Sequence, residues 1–138
     1  MKLVYDEKLM KYIILFENLT KVKVKDAYLR DDKSICFIIE KGGMFKAVGK
    51  NGFKVKKIEN MLKRRIRIIE FDEDICKFAS NLSYPVKPKD VKLNDGKLEI
   101  FVEDSKSKGL LIGRERKNLK ELKGVLLRHF NFEDIIIR

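Results

Sequence analysis

The stretch Ala47-Val48-Gly49-Lys50-Asn51-Gly52-Phe53-Lys54-Val55-Lys56-Lys57-Ile58-Glu59 sets two glycines around two polar residues, one of them cationic. An apolar run precedes it, and the pattern of a basic amphipathic helix follows. Glycine tolerates positive φ and lets a backbone approach a ligand without a Cβ between them. The next helix begins with unpaired N–H groups and a partial positive charge. Together these features suit a phosphate backbone, and a Gly-x-x-Gly loop in this setting reads as a clamp for single-stranded nucleic acid. Taken alone, the tetrapeptide is more economically a tight turn between two helices, so the rest of the chain has to decide.

Charge bears on that choice. The 138 residues carry a net charge of +11, which implies an anionic partner, with nucleic acid ahead of a membrane surface. A generally lysine-rich proteome would spread such charge along the chain. Instead, Lys41 to Arg67 holds ten Lys/Arg and one acid, Glu59, and Ser105 to Arg128 holds eight Lys/Arg and two acids, Glu115 and Glu121. These two windows exceed the charge of the whole chain, so the remainder is net acidic. Hydrophobic residues make up 44%, enough for a packed core. No apolar run is long enough to span a bilayer, and the start of the chain has no signal-peptide pattern, so a soluble, cytoplasmic protein is expected. Cys36 and Cys76 lack neighbours at metal-ligand spacing and read as buried small hydrophobes.

In chain order, residues 6–17 read as a helix, with Leu9, Tyr12, Ile13 and Phe16 at helical spacing and Asp6 as cap. Val22 to Leu29 and Ser34 to Glu40 read as strands. Met44 to Val48 is a short helix, Phe53 to Arg64 a longer one, and Arg65 to Phe71 a strand. The order then restarts. Asp72-Glu73-Asp74 opens a helix that Ser83-Tyr84-Pro85 ends, read as a junction. Val86 to Leu93 is a strand, Asn94-Asp95-Gly96 a hairpin turn, and Leu98 to Val102 a strand. Gly109 to Ile112 leads into Gly113-Arg114-Glu115-Arg116. Lys117 to Phe130 is a helix, and Ile135 to Ile137 a closing strand. At an offset of 64 the halves match without a gap: Phe37 with Phe101, Val48-Gly49 with Ile112-Gly113, Val55 with Leu119, Ile58 with Leu122 and Arg64 with Arg128. An internal duplication follows.

With Val48-Gly49-Lys50-Asn51-Gly52 before a basic helix, and a partial copy at Ile112-Gly113-Arg114-Glu115-Arg116, the chain resembles tandem KH domains. The extra helix and strand precede the loop, as in the type II order. More narrowly, it resembles the archaeal NusA-like transcription factors. The resemblance implies an α+β fold of two tandem type II KH domains, each a three-stranded sheet with helices on one face. Residues 1–71 would form the first domain, with an intact loop, and 72–138 the second, with a degenerate one. It implies RNA binding linked to transcription termination, antitermination or pausing. It also implies that the polymerase-binding and oligonucleotide-binding barrel domains of bacterial relatives are absent.

On that reading, Gly49 and Gly52 admit the sugar-phosphate chain, Lys50 pairs with phosphate, and Asn51 bonds phosphate or ribose. Val48, Val55 and strand residues near Ile38 form an apolar floor under about four bases. Lys54, Lys56 and Lys57 add a long-range field. Val48 and Val55 fit ordinary core equally well, and Lys56 and Lys57 fit a solvated helix face. In the second loop, Ile112, Gly113, Arg114, Arg116, Lys117 and Lys120 take the corresponding places. There Arg116 replaces the second glycine and Glu115 stands opposite Asn51, so clamping is expected first at the first loop. The expected partner is single-stranded RNA, with docking on RNA polymerase or a role in ribosome or RNA processing as alternatives. A monomer without metal or cofactor is expected. Asp72-Glu73-Asp74, the one run of three acids, sits where a helix start favours acids, and His129 is the only histidine, so an enzyme is not expected.

Overall fold

A parallel strand pair needs a long crossover, and in each half of this chain the crossover carries the glycine loop. The computed structural model describes residues 7–138, so Asp6, the expected cap, lies outside the described residues. The chain divides into two compact units, Met1–Phe71 and Asp72–Arg138.

The first unit runs α1 (Glu7–Thr20), β1 (Val24–Leu29), β2 (Ile35–Ile39), α2 (Met44–Val48), a 3₁₀ turn (Lys50–Gly52), α3 (Phe53–Leu62) and β3 (Ile66–Glu70). Helix α1 buries Leu9, Ile13, Phe16 and Thr20 along one stripe. It ends at Thr20, whose hydroxyl donates to the Phe16 carbonyl (2.8 Å) and accepts from the Val22 N–H (3.1 Å). Strand β2 is central, antiparallel to β1 (Tyr28 opposite Cys36) and parallel to β3 (Phe37 opposite Ile68). Ile35, Phe37 and Ile39 join one core with Leu9, Ile13, Phe16, Ala47 and Ile58, which puts the three helices on one sheet face. Phe16 stacks on Phe37 with ring centroids 4.4 Å apart. All five β2 residues are buried.

The second unit repeats the order with α4 (Ile75–Leu82), β4 (Asp90–Asn94), β5 (Lys97–Phe101), α5 (Ser105–Ile112), a 3₁₀ turn (Arg114–Arg116), α6 (Lys117–Leu127) and β6 (Asp134–Ile137). Strand β5 is antiparallel to β4 and parallel to β6. The division falls between Phe71 and Asp72, so Ser83-Tyr84-Pro85 lies inside this unit and is not a junction. Helix α4 belongs here because it packs on α6 and β4. Its acidic start is a cap: Asp74 accepts from the Cys76 N–H (2.9 Å), and Asp72 accepts from the Asp74 N–H (2.8 Å). The hairpin turn forms at Asp95 (φ 49°) and Gly96 (φ 77°), the two left-handed positions a type I′ turn needs.

Three expectations change. Strand β4 starts at Asp90 and not at Val86, because Pro88 has no N–H to give a ladder. Helix α5 forms over residues with little apolar pattern because Asp104 caps it, accepting from the Ser107 N–H at 2.7 Å. The gapless offset of 64 holds for the loops and the helices after them but not for the central strands. β2 and β5 end at Ile39 and Phe101, an offset of 62, and the longer α5 absorbs the difference. Phe37 is therefore mid-strand and buried, whereas Phe101 is terminal and only half-buried.

One buried carboxylate gives this unit a pH dependence. Glu99 is held between Arg138 and the Asn94 amide (2.6 Å). The Arg138 hydrogen bond first, and Asn94 second, keep its carboxyl below the usual glutamate range. A depressed carboxyl contributes its full stabilisation above the unfolded value, about 4.3, and loses it as pH falls through the lower folded value. Thermal melts of Glu99→Gln at pH 6 and pH 3 are expected to show a smaller acid loss than wild type. An equal loss in both would show that Glu99 contributes nothing to the acid limb.

Candidate nucleic-acid interface

The two loops share one backbone shape despite their different residues. Gly49 has φ 78°, ψ 171° and Gly113 has φ 74°, ψ 170°. Asn51 (55°, 27°) matches Glu115 (55°, 30°), and Gly52 (72°, 17°) matches Arg116 (62°, 23°). The first position lies where essentially only glycine goes, whereas the later ones are left-handed helical, open to other residues at a cost. This is how Arg116 can stand where Gly52 does. The hydrogen bonds repeat as well. Gly49 N–H donates to Phe45 (3.0 Å) and Gly113 N–H to Gly109 (2.8 Å), while Gly52 and Arg116 N–H donate to Gly49 and Gly113, each at 3.2 Å.

A side chain ties each loop across its base. Lys54 Nζ donates to the Lys46 carbonyl (2.9 Å), and Asn118 Nδ2 donates to the equivalent Leu110 carbonyl (2.8 Å). Lys54 is thus a strut of the turn before it is a source of field. Helices α4 and α5 carry aspartate caps, but α3 and α6, which leave the loops, have no side-chain cap. The first N–H of each, at Phe53 and Lys117, donates back to the Lys50 and Arg114 carbonyls. The N–H groups just after them therefore carry the partial positive charge that an anion can meet.

Around the first loop, Lys50, Asn51 and Lys57 are exposed, and Val48, Gly49, Gly52, Lys54 and Val55 are half-buried. A Cβ built at Gly52 would meet nothing within 4 Å, so that side of the loop is open. Around the second, Arg114, Arg116, Lys117 and Lys120 are exposed, and Ile112 and Gly113 half-buried. Half-burial leaves Val48, Val55 and Ile112 an apolar edge for a ligand. Ile38 is different: it is fully buried in the central strand and cannot form a floor under bases. Two aromatics escaped the sequence reading. Phe45 is 85% exposed one turn before Gly49, and Phe53 is 56% exposed at the start of α3. For Phe45 the signal was the brevity of α2, a five-residue helix in which only Ala47 is buried. Phe53 opens α3 and had no such signal.

Other chemistry-bearing residues have structural partners. The His129 ring meets Phe78 edge-on at 5.8 Å, and the Asp72–Asp74 run caps α4. Burial, then the charges of Asp74 and Asp90, push the Cys76 thiol up, away from the thiolate a nucleophile requires. Among the described residues, no group of three or more His, Cys, Asp or Glu could hold a metal, and no helix is long and apolar enough to cross a membrane.

No protein-family model matches the chain. It is 26% identical over 137 residues to a probable transcription termination protein NusA of Halococcus morrhuae, covering 98% of each. It is 30% identical over 126 residues to the protein of the same name in Methanocaldococcus jannaschii, covering 89% of this chain and 68% of that one. The crystal structure of APE1850 matches with a TM-score of 0.73 at 26% identity, covering 97% of this chain and all of that one. With two three-stranded sheets, a glycine loop in each crossover and relatives of one name along nearly its whole length, the chain belongs to the NusA-like family of archaeal transcription termination proteins.

Proposed function

We propose that the chain is a pair of tandem type II KH domains, residues 1–71 and 72–138, that bind single-stranded RNA through their glycine loops. The process it serves is transcription termination, antitermination or elongation control, in the cytoplasm and alongside RNA polymerase. It acts as a binding module and catalyses no reaction. The observation that carries this reading is the shared loop backbone, followed in each unit by an uncapped helix and exposed cations. The relatives' name supplies the process. Phe45 and Phe53 offer rings on which bases can stack beside the clamp.

Fluorescence anisotropy with a short labelled single-stranded RNA tests it. Binding should weaken with salt, with a slope of about 0.7 per phosphate neutralised. No binding at low salt, together with capture of polymerase subunits, would favour a docking adaptor instead. The second loop gives a sharper check. Glu115→Asn with Arg116→Gly leaves the net charge unchanged, removing one acid and one base, and replaces a strained left-handed arginine by the glycine of the first loop. It should raise RNA affinity several-fold and stabilise the unit by about 1 kcal/mol. Higher stability without tighter binding would mark the second loop as a turn only.

A further inference from the structure

The first unit has a second basic site, at the opposite end of α3 from its glycine loop. A cleft of about 530 Å³ is lined by Lys8 and Tyr12 of α1, by Asp32, Lys33 and Ser34 between β1 and β2, and by Lys63, Arg64 and Arg65 after α3. Five cations face one carboxylate, and that carboxylate is already engaged. Asp32 Oδ1 accepts from the Ser34 N–H (2.9 Å) and hydroxyl (2.5 Å). Arg64 is fixed: its Nη1 donates to the Lys33 carbonyl (2.9 Å), and its guanidinium lies over the Tyr12 ring at 5.9 Å. Among the described residues, no ion pair involves Lys33, Lys63 or Arg65.

Cations past a helix C-terminus also answer the helix dipole, which would account for Lys63, Arg64 and Arg65 without a ligand. It would not account for Lys8 and Lys33, which come from other elements. Nor does it explain the backbone. Lys33 (φ 70°) and Lys63 (φ 56°) are both left-handed, where glycine would sit without strain. Left-handed backbone alone would not mark a site, since Lys21 (φ 60°) shares it elsewhere and Lys63 is the cap that ends α3. The convergence of five cations from three segments on one cleft is what points to a use for the charge.

We infer that this cleft holds phosphates of an RNA strand that continues beyond the glycine clamp. Helix α3, ten residues or about 15 Å long, separates the two sites, so a strand longer than the four-nucleotide clamp footprint reaches both. This second contact presupposes the RNA-binding reading of the first loop.

The full chain is titrated with a labelled single-stranded RNA tetramer and dodecamer, and its melting temperature is measured. The variants are Lys33→Gly with Lys63→Gly, Lys21→Gly, and Lys50→Asp with Asn51→Asp. Lys21 is the control, because it too is left-handed (φ 60°) but lies outside the cleft. The Lys33/Lys63 pair should melt no lower than wild type, bind the tetramer within twofold, and lose about tenfold on the dodecamer. Its dodecamer salt slope should fall by about 1. Lys21→Gly should melt higher and bind both RNAs as wild type does. Unchanged dodecamer affinity in the Lys33/Lys63 pair, with Tm held, overturns the cleft. The clamp then still stands if the Lys50/Asn51 pair loses the tetramer. Wild type that binds neither RNA overturns both.

Discussion

Gly113→Ala is expected to destabilise the second unit by about 3 kcal/mol, the largest effect of any single methyl group added to either loop. Two costs combine. At φ 74°, ψ 170° an alanine occupies backbone space that essentially only glycine uses. Its Cβ would also lie 2.9 Å from the Asn118 backbone nitrogen and 2.7 Å from its side chain, and backbone cannot step aside cheaply. Gly49→Ala meets the same backbone strain, but its Cβ approaches only the Lys54 side chain, at 2.9 Å. That chain can swing away by giving up its bond to Lys46, so about 2 kcal/mol is expected. Gly52→Ala has open space and a left-handed backbone that Arg116 shows to be tolerable, so about 1 kcal/mol suffices. Urea denaturation of the three variants checks the order. A Gly52→Ala cost equal to that of Gly113→Ala would contradict the distinction between the two glycine positions.

That distinction shows what a sequence can reveal here. The order of elements is legible because glycines punctuate it and because Leu9, Ile13 and Phe16, or Val55, Ile58 and Leu62, recur with helical period. The loops are legible as breaks with cations. The unequal demands on their two glycines are not, since one letter serves both a backbone shape unique to glycine and one that arginine can adopt. The burial of Ile38 is legible, because Ile35-Cys36-Phe37-Ile38-Ile39 does not alternate but runs apolar without a break, the pattern of a strand covered on both faces, and β2 is buried throughout. The basic cleft is the hardest to foresee. Tyr12, Lys33 and Lys63 are far apart in the chain and meet only when α1 packs against the sheet and β2 pairs with β3. Charge counting places Lys63, Arg64 and Arg65 in a basic window but cannot say that they turn toward a different site from Lys50.

Lys50→Asp with Asn51→Asp is expected to weaken binding of a short single-stranded RNA about 100-fold, or roughly 2.8 kcal/mol. The fold should survive, because both side chains are exposed and aspartate tolerates the left-handed backbone that Asn51 adopts (φ 55°). Circular dichroism and Tm should therefore match wild type. Binding should not, because the pair shifts the local charge by three units at the uncapped start of α3, where a phosphate would meet the helix N–H groups. The salt slope should fall by about 0.7 for each phosphate that is no longer neutralised. Arg114→Asp with Arg116→Asp changes the charge by more, yet a loss under tenfold is expected. Glu115 already lowers the potential of that loop, and the Arg116 side chain projects from the position that Gly52 leaves open. A comparable loss from both pairs would make the second loop an equal clamp, its arginines doing by side chain what Gly52 does by absence. Wild-type affinity in the Lys50/Asn51 pair would remove the first loop from the interface and leave its glycines to the turn alone.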